Sequence, residues 1–367
     1  MAKDVFSNAC KGKTVLVTGH TGFKGGWLAI WLETLGAKVV GYSLDPPTDP
    51  SFFEAVDLEN RIISAKGDIR NLENLASIMS LHKPEYVFHL AAQPLVRRSY
   101  RNPIETFEVN VMGTLKVLEA VRSNTSVKAC VCITSDKCYE NREWVYAYRE
   151  NDQMGGHDPY SASKGAAELA ISSYRSSFLS TKVNRDISVS SVRAGNVIGG
   201  GDWAEDRIIP DCIRALTIGR PLTVRNPMAI RPWQHVLDPL AGYLLLASKM
   251  SQEPDRFAGA WNFGPLSSNN IPVCSLVEKF IAEWGYGSWE DVSSRCKGEP
   301  HEANFLRLDI SKANNLLGWM PAYSIADGIR ETAAWYRAYY GNEADMYNFT
   351  VSQIRSYTAK FNDGLKG

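Results

Sequence analysis

The stretch KTVLVTGHTGFKG, Lys13–Gly25, decides the fold. Its first six residues, Lys13–Thr18, are a β-branched run that stops at glycine, the composition of a buried strand. From Gly25 to Leu35, the apolar residues Trp27, Leu28, Ile30, Trp31, Leu32 and Leu35 recur at helical spacing. Joining the two is Thr18-Gly19-His20-Thr21-Gly22-Phe23-Lys24-Gly25. Glycines there let the backbone turn tightly and approach a pyrophosphate, while the helix start offers unpaired N–H groups and the positive end of its dipole. A glycine triplet alone is weak evidence, but strand, turn and helix together are the context that a dinucleotide site requires.

Outward from this unit the alternation continues. Ala37–Tyr42, Tyr86–Leu90, Ala129–Thr134 and Ile187–Arg193 read as strands, and Leu72–Leu81, Val109–Arg122 and Ser161–Phe178 as helices. Strand–helix alternation predicts right-handed crossovers and a parallel sheet covered on both faces. After Gly195 the rhythm changes: Gly199-Gly200-Gly201 and Pro210, Pro221, Pro227 and Pro232 break the chain into short elements. A helix at Pro239–Lys249, a strand near Ala260–Phe263 and helices around Leu276–Trp284 and Ile325–Tyr340 follow. Residues beyond about Asn342 read as polar and peripheral, with Ile354–Phe361 a candidate helix. The expected architecture is α/β: a Rossmann-type, doubly wound parallel sheet with a smaller mixed α/β substrate-binding domain. Residues 1–193, with returning segments around 235–263, would form the dinucleotide-binding domain, and residues 194–234 and 264–367 the second.

Forty Lys plus Arg balance forty Asp plus Glu in 367 residues, giving a net charge of zero. That balance removes the general attraction non-specific nucleic-acid binding needs. No apolar run approaches the roughly 18 residues that span a bilayer, and the opening MAKDVFSNACKGK lacks the apolar segment of a secretion signal. The seven cysteines are scattered without a C-x-x-C pair or a histidine at ligand spacing, so reduced thiols, a cytoplasmic location and no metal are expected.

The spacing G-x-x-G-x-x-G, with Gly67-Asp68-Ile69-Arg70, His89-Leu90-Ala91-Ala92, Asn110-Val111-Met112-Gly113-Thr114 and Tyr160-Ser161-Ala162-Ser163-Lys164, resembles the extended short-chain dehydrogenase/reductase family of nucleotide-sugar enzymes. The resemblance implies a dinucleotide held by Gly19, His20, Gly22, Phe23, Lys24, Gly25, Asp68, Ile69, Leu90, Ala91, Ala92, Gln93, Asn110, Tyr160 and Lys164. NAD is the expected form. Ser43 stands at the end of the second strand and Asp45 twenty residues past Gly25, where an acidic residue meets a ribose hydroxyl, and no Arg lies in Ser43–Thr48 to accept a 2′-phosphate.

Tyr160 and Lys164 are four apart at a helix start and share a face. A phenol has a pKa near 10. The lysine, together with an oxidised nicotinamide, favours the phenolate and makes Tyr160 a base for a sugar hydroxyl. In Ile133-Thr134-Ser135-Asp136-Lys137-Cys138-Tyr139, Ser135 matches the family residue that hydrogen-bonds the reacting hydroxyl. Asp136 matches the acid of the nucleotide-sugar 4,6-dehydratases, while Lys137 replaces their usual Glu. Stretches 19–27, 43–48, 92–97, 135–141 and 192–203 look like the CDP-glucose branch of those dehydratases, a resemblance running from about Gly12 to Pro321 that includes Lys137.

That resemblance implies conversion of CDP-glucose to CDP-4-dehydro-6-deoxyglucose and water, with hydride moving transiently from C4 to NAD and back to C6. Lys137 would act at C5 as base or as electrostatic stabiliser. Substrate contacts are expected from Gln93, Arg97, Ser135, Arg193, Asn196, Arg231, His301 and Glu302, the last two corresponding to a family His-Asp pair whose following Arg is absent here. The alternatives are another nucleotide-sugar 4,6-dehydratase, a 4-epimerase, which needs no acid at Asp136, or a catalytically silent cofactor-binding protein. A homodimer through helices near Val109–Arg122 and Ser161–Phe178, a tetramer built from it, and a role in deoxysugar synthesis for a surface polysaccharide such as O-antigen lipopolysaccharide are further expectations.

Overall fold

The computed structural model describes residues 6, 10–181, 187–295, 305–342 and 345–365. Its centre is a seven-stranded parallel sheet of β1 (Thr14–Thr18), β2 (Lys38–Ser43), β3 (Ile63–Lys66), β4 (Tyr86–His89), β5 (Ala129–Ile133), β6 (Ser188–Ala194) and β7 (Gly259–Phe263). The order across the sheet is β7-β6-β5-β4-β1-β2-β3. The reversal beside β1, with Val15 opposite both Val39 and Tyr86, opens a crevice at the carboxyl ends of β1 and β4. Strand β3 has no counterpart in the sequence reading. It is an edge strand whose residues are mostly exposed, so it lacks the apolar run by which a buried strand is recognised.

Side chains alternate between two buried layers, as a strand's two-residue period requires. Val15, Val17, Val39, Phe88, Val131 and Val192 face one apolar cluster, while Leu16, Val40, Val87, Cys130, Cys132 and Val189 face the other. The second layer is closed by α2 (Leu72–His82), α3 (Thr114–Ser123) and α4 (Pro159–Ser177) through Leu75, Met79, Val117, Val121 and Ile171. Helix α4 begins two residues before its predicted start: the Asp158 side chain accepts the Ser161 N–H at 2.9 Å and Pro159 occupies the first helical position. Ahead of α3, a short helix at Pro103–Phe107 and a π-turn at Glu108–Gly113 extend the predicted 109–122 helix toward the amino terminus.

The first layer holds α1 (Phe23–Thr34) and, from the second half, α5 (Ile208–Thr217), α6 (Leu237–Gln252), α7 (Val273–Trp284), α8 (Ile325–Gly341) and α9 (Met346–Gly364). Pro210 and Pro239 sit in the first turns of α5 and α6, where an absent N–H costs no intrahelical bond, so neither breaks its helix. Three small ribbons pair Val197–Ile198 with Gln234–His235, Ile230–Pro232 with Asn270–Pro272, and Leu222–Val224 with Trp289–Asp291.

The carboxyl-terminal segment is not peripheral. Helix α9 buries Val351, Ile354, Tyr357 and Phe361, at the three-to-four spacing of an inward-facing stripe. Tyr357 meets Trp31 of α1 edge-on at 5.7 Å, and Phe361 lies 5.4 Å from Phe6. Its anchor is Asp238 on α6: one carboxylate oxygen accepts the Tyr357 hydroxyl at 2.8 Å and the backbone N–H groups of Ala322 and Tyr323 at 2.8 and 3.3 Å. The other oxygen, Oδ2, is buried with no hydrogen-bond partner, and burial raises the Asp238 pKa to about 7.

Candidate active site

A cleft of about 1990 Å³ runs along the carboxyl edge of the sheet, between the parallel strands and the ribbons of the second half. It exceeds the ~300–1,000 Å³ typical of a pocket for one small ligand. The turn after β1 forms one wall. Gly19 has φ +79°, and a Cβ there would lie 2.7 Å from the Ala91 nitrogen, while a Cβ on Gly25 would lie 2.1 Å from the Gly19 carbonyl oxygen. Only glycine fits either place. Gly22 caps α1 without a side chain, so the first N–H groups of that helix face the cleft unobstructed. This is the cradle a pyrophosphate needs, and the residues fit a dinucleotide.

Ser43, Asp45, Asp68, Ile69, Leu90, Ala91, Ala92 and Gln93 line the same wall, with Gly19, Gly22, Phe23, Lys24 and Gly25. The Thr21 and Ser43 hydroxyls are 2.8 Å apart, Asp45 pairs with Lys66 at 2.5 Å, and Arg70 grips Asp68 through two nitrogens. That guanidinium holds the Asp68 carboxyl below its ordinary range.

Two expected cofactor contacts are not made by side chains. The His20 ring turns away under β2, against Gly41, with Nε2 2.8 Å from the Ser64 hydroxyl; burial drives its pKa down to about 4, so it is neutral there. Asn110 is saturated internally, accepting the Gln93 N–H at 2.8 Å and donating to the Gln93 carbonyl and the Ser163 hydroxyl. It ties the π-turn, the loop after β4 and α4 together. The Gln93 side chain likewise holds its own loop, through Leu95 and Thr106.

Ser135, Asp136, Lys137, Tyr160 and Lys164 come together at the cleft floor, where β5 ends beside the first turns of α4. The Ser135 hydroxyl lies 3.1 Å from Asp136 Oδ1 and accepts the Lys137 N–H at 3.2 Å. It also bears on the Tyr160 phenol, lowering its pKa. Burial raises the Asp136 pKa, partly offset by the positive charges of Lys137 and Arg231. Tyr160 is pushed up to about 12 by burial, against the pull of Ser135. The Lys164 amine lies 6.0 Å from the Tyr160 ring and its pKa falls to about 8, again through burial. In the protein alone, therefore, the lysine does not overcome desolvation, and the phenol keeps its proton at neutral pH. A further positive charge against the ring is what would release it.

Opposite stand Asn196, Arg231 and Arg97, all on the cleft surface. Arg231 is close enough to Asp136 to act on its charge, and Arg97 Nε lies 3.6 Å from Asp206. Arg193, expected at the substrate, does not line the cleft. It lies 3% exposed behind the sheet, its Nη2 2.7 Å from Glu168 and its Nη1 donating to Tyr139 and to the Glu150 carbonyl. Side-chain alternation explains this: Val192 and Ala194 face one apolar layer, so Ser191 and Arg193 face the other. His301 and Glu302 lie outside the described residues.

Several site residues escaped the sequence reading. Arg207, paired with Asp202 at 2.8 Å, bears on both Tyr160 and Lys24, and Arg225 pairs with Asp206 at 3.0 Å. Both lie in irregular segments without a motif. Glu168 had a signal: it follows Lys164 by one helical turn and shares its face.

The family described as GDP-mannose 4,6 dehydratase matches residues 16–332. A CDP-glucose 4,6-dehydratase of Salmonella typhimurium is 50% identical over 354 residues, covering 95% of this chain and 97% of the relative. A dTDP-glucose 4,6-dehydratase of Xanthomonas campestris is 27% identical over 340 residues, 88% of this chain and 93% of its own. Among solved structures, DesIV, a dTDP-glucose 4,6-dehydratase from Streptomyces venezuelae with NAD and TYD bound, superposes with a TM-score of 0.74 at 24% identity, covering 91% of this chain and 99% of that one. A likeness at that identity speaks to the fold. The family match begins in β1 and ends inside α8, so it takes in the whole cleft: the chain belongs to the GDP-mannose 4,6 dehydratase family.

Proposed function

We propose that the protein is a CDP-glucose 4,6-dehydratase, forming CDP-4-dehydro-6-deoxyglucose and water. The relative at 50% identity supports the substrate, and the buried Asp136 beside Ser135 carries the reaction type. A 4-epimerase moves hydride at C4 alone and needs no acid there.

NAD, when bound between the glycine turn and Asp68, supplies a hydride acceptor that ends the cycle unchanged, so the net reaction is an elimination of water. Ser135 orients the 4-hydroxyl of the glucose and Tyr160 removes its proton. Lys164 supplies positive charge next to the phenolate. Once C4 is a ketone, the C5 proton is acidic and leaves as Asp136 delivers its proton to the departing 6-hydroxyl. Lys137 stands beside Asp136 on the cleft and serves this step either as the C5 base or as the cation that stabilises the enolate. Arg231 and Asn196 face the nucleotide diphosphate, for which a guanidinium fork is suited. Residues 194–234 and the segments after β7 supply this nucleotide-sugar side.

The deciding experiment incubates the protein with NAD and CDP-glucose and reads the alkaline ultraviolet absorbance of a 4-keto-6-deoxy sugar, with UDP-, dTDP- and GDP-glucose in parallel. Absence of the signal with CDP-glucose would sink the proposal. For Lys137→Ala, solvent deuterium incorporation at C5 that is unchanged from wild type would remove both roles given to that lysine.

The same reading places the protein in the cytoplasm, in deoxysugar synthesis for a surface polysaccharide. It also favours a homodimer through α4 and the helical run before and within α3, where Ile104, Met112, Leu169 and Phe178 are exposed apolar residues. Among the described residues no helix is long and apolar enough to cross a membrane.

A further inference from the structure

Behind the catalytic cluster lies a second set of polar groups centred on Glu168, in which Glu168, Ser191, Arg193, Tyr139 and Asn262 are buried and Thr134 is half-buried at the cleft edge. Its Oε1 accepts the Thr134 hydroxyl at 2.5 Å, and its Oε2 accepts the Ser191 hydroxyl and Arg193 Nη2, each at 2.7 Å. Arg193 passes the tie on to the Tyr139 hydroxyl at 2.6 Å, which donates in turn to Asn262 on β7 at 2.8 Å. One carboxylate thus joins the ends of β5 and β6 to the middle of α4. The two residues next to its anchors are catalytic ones: Thr134 precedes Ser135, and Lys164 lies one turn before Glu168.

A buried ion pair is a poor source of net stability, because desolvation of both charges offsets their attraction. Its presence calls for another role, and the geometry supplies one. Lys164 is surrounded by groups that do little to keep it charged. From α1 it faces Lys24 and from β4 His89, the latter held neutral by burial; from β5 and the turn after it come the buried thiols of Cys132 and Cys138; on its own helix lie Tyr160 and Glu168. Glu168 is the carboxylate that acts on it, and it raises the Lys164 pKa against desolvation.

We propose that Glu168 is a positioning residue for the dehydratase reaction: held by Thr134, Ser191 and Arg193, it keeps Lys164 positively charged and fixes the register of Ser135 against Tyr160. The assignment rests on the functional reading above, since only chemistry at Tyr160 gives the charge of Lys164 a purpose. Arg193 completes the device as counter-ion, which is why it faces away from the substrate.

The test uses two variants. Glu168→Gln alone would strand the Arg193 charge, so the neutral partner is the double variant Glu168→Gln/Arg193→Met, which removes both charges at similar volume. Glu168→Asp is the charge-retaining control. The first readout is independent of turnover: carbon NMR of protein labelled at the lysine Cε positions, with the Lys164 resonance identified by its loss in Lys164→Met. In the double variant its titration midpoint falls by about one pH unit, a tenfold change in proton affinity, while in Glu168→Asp it stays near the wild-type position. The second readout is the pH profile with CDP-glucose. Lys164 then loses its proton at lower pH, so the alkaline limb of kcat moves down in the double variant, kcat falls at least tenfold, and KM is unchanged. An unmoved Lys164 midpoint in the double variant, or an equal fall in Glu168→Asp, would overturn the proposal. If wild-type protein fails to turn over CDP-glucose, the functional reading fails, while the NMR titration still decides whether Glu168 sets the charge of Lys164.

Discussion

Replacing Asp238 by Asn should remove a loss of stability with rising pH and so reverse the order of the two proteins between pH 4 and pH 8. In the fold, burial raises this carboxyl from its ordinary 3.8 to about 7. A group whose folded pKa is raised binds protons more tightly in the folded chain. Its stabilising contribution is complete below the unfolded pKa and is lost as pH rises through the folded one. The window is therefore from about pH 4 to about pH 7. A shift of about 3 units at ~1.36 kcal/mol each puts the loss at about 4 kcal/mol.

Asparagine keeps the oxygen that accepts Tyr357, Ala322 and Tyr323, and it places an amide where Oδ2 is already without a partner. That unsatisfied amide costs about 1–3 kcal/mol at every pH. Asp238→Asn should thus be about 1–3 kcal/mol less stable than wild type near pH 4 and about 1–3 kcal/mol more stable at pH 8. Urea unfolding of both proteins across this range, followed by tryptophan fluorescence, reads the crossing directly. Curves that stay parallel from pH 4 to pH 8 would refute the reasoning, because the difference between the proteins would then carry no proton.

Other outcomes follow from the cleft. Gly25→Ala, whose Cβ would lie 2.1 Å from the Gly19 carbonyl, should fold but lose NAD binding, measured by calorimetry; wild-type affinity would mean that the turn is not the pyrophosphate cradle. Asp136→Asn should lower dehydration about 10²–10⁴-fold while leaving CDP binding intact; a fully active variant would reassign the acid. Arg193→Ala should lower the unfolding midpoint without a selective rise in KM for CDP-glucose, and a KM effect at undiminished stability would restore it to the substrate site. Leu169→Glu, on an exposed apolar position of α4, tests the proposed dimer: wild type should sediment as a dimer and the variant toward monomer, and identical sedimentation of the two would remove α4 from the interface.

The chain announces its nucleotide-binding half because chemistry and folding there demand the same residues. Gly19 and Gly25 are required by backbone approach, and the β-branched runs by burial on both faces of the sheet. Tyr160 and Lys164 are legible for a similar reason, since four residues on a helix fix a shared face. Arg193, His20 and Asn110 take protein partners, and their chemistry suits either a ligand or the protein itself. What decides is the presence of Glu168, Ser64 or Gln93 across a strand or loop, and those pairings belong to tertiary contacts. Arg207 and Arg225 carry no local signal at all, standing in segments whose course is set by Gly199–Gly201 and by ribbons of two or three residues.

The covering of α1 by α9 bears on how the chain comes off the ribosome. The helix that opens the nucleotide site is among the first to be made, yet Trp31 is shielded by Tyr357, and Phe6 by Phe361, residues synthesised some 320 to 355 positions later. Domains generally mature from the amino end during translation. Here the outer face of α1 must wait for the final turns of α9. A ribosome stalled before residue 346 would therefore hold a chain complete through α8 whose α1 lacks the cover of Tyr357 and Phe361, a state in which chaperone capture or aggregation finds exposed apolar surface.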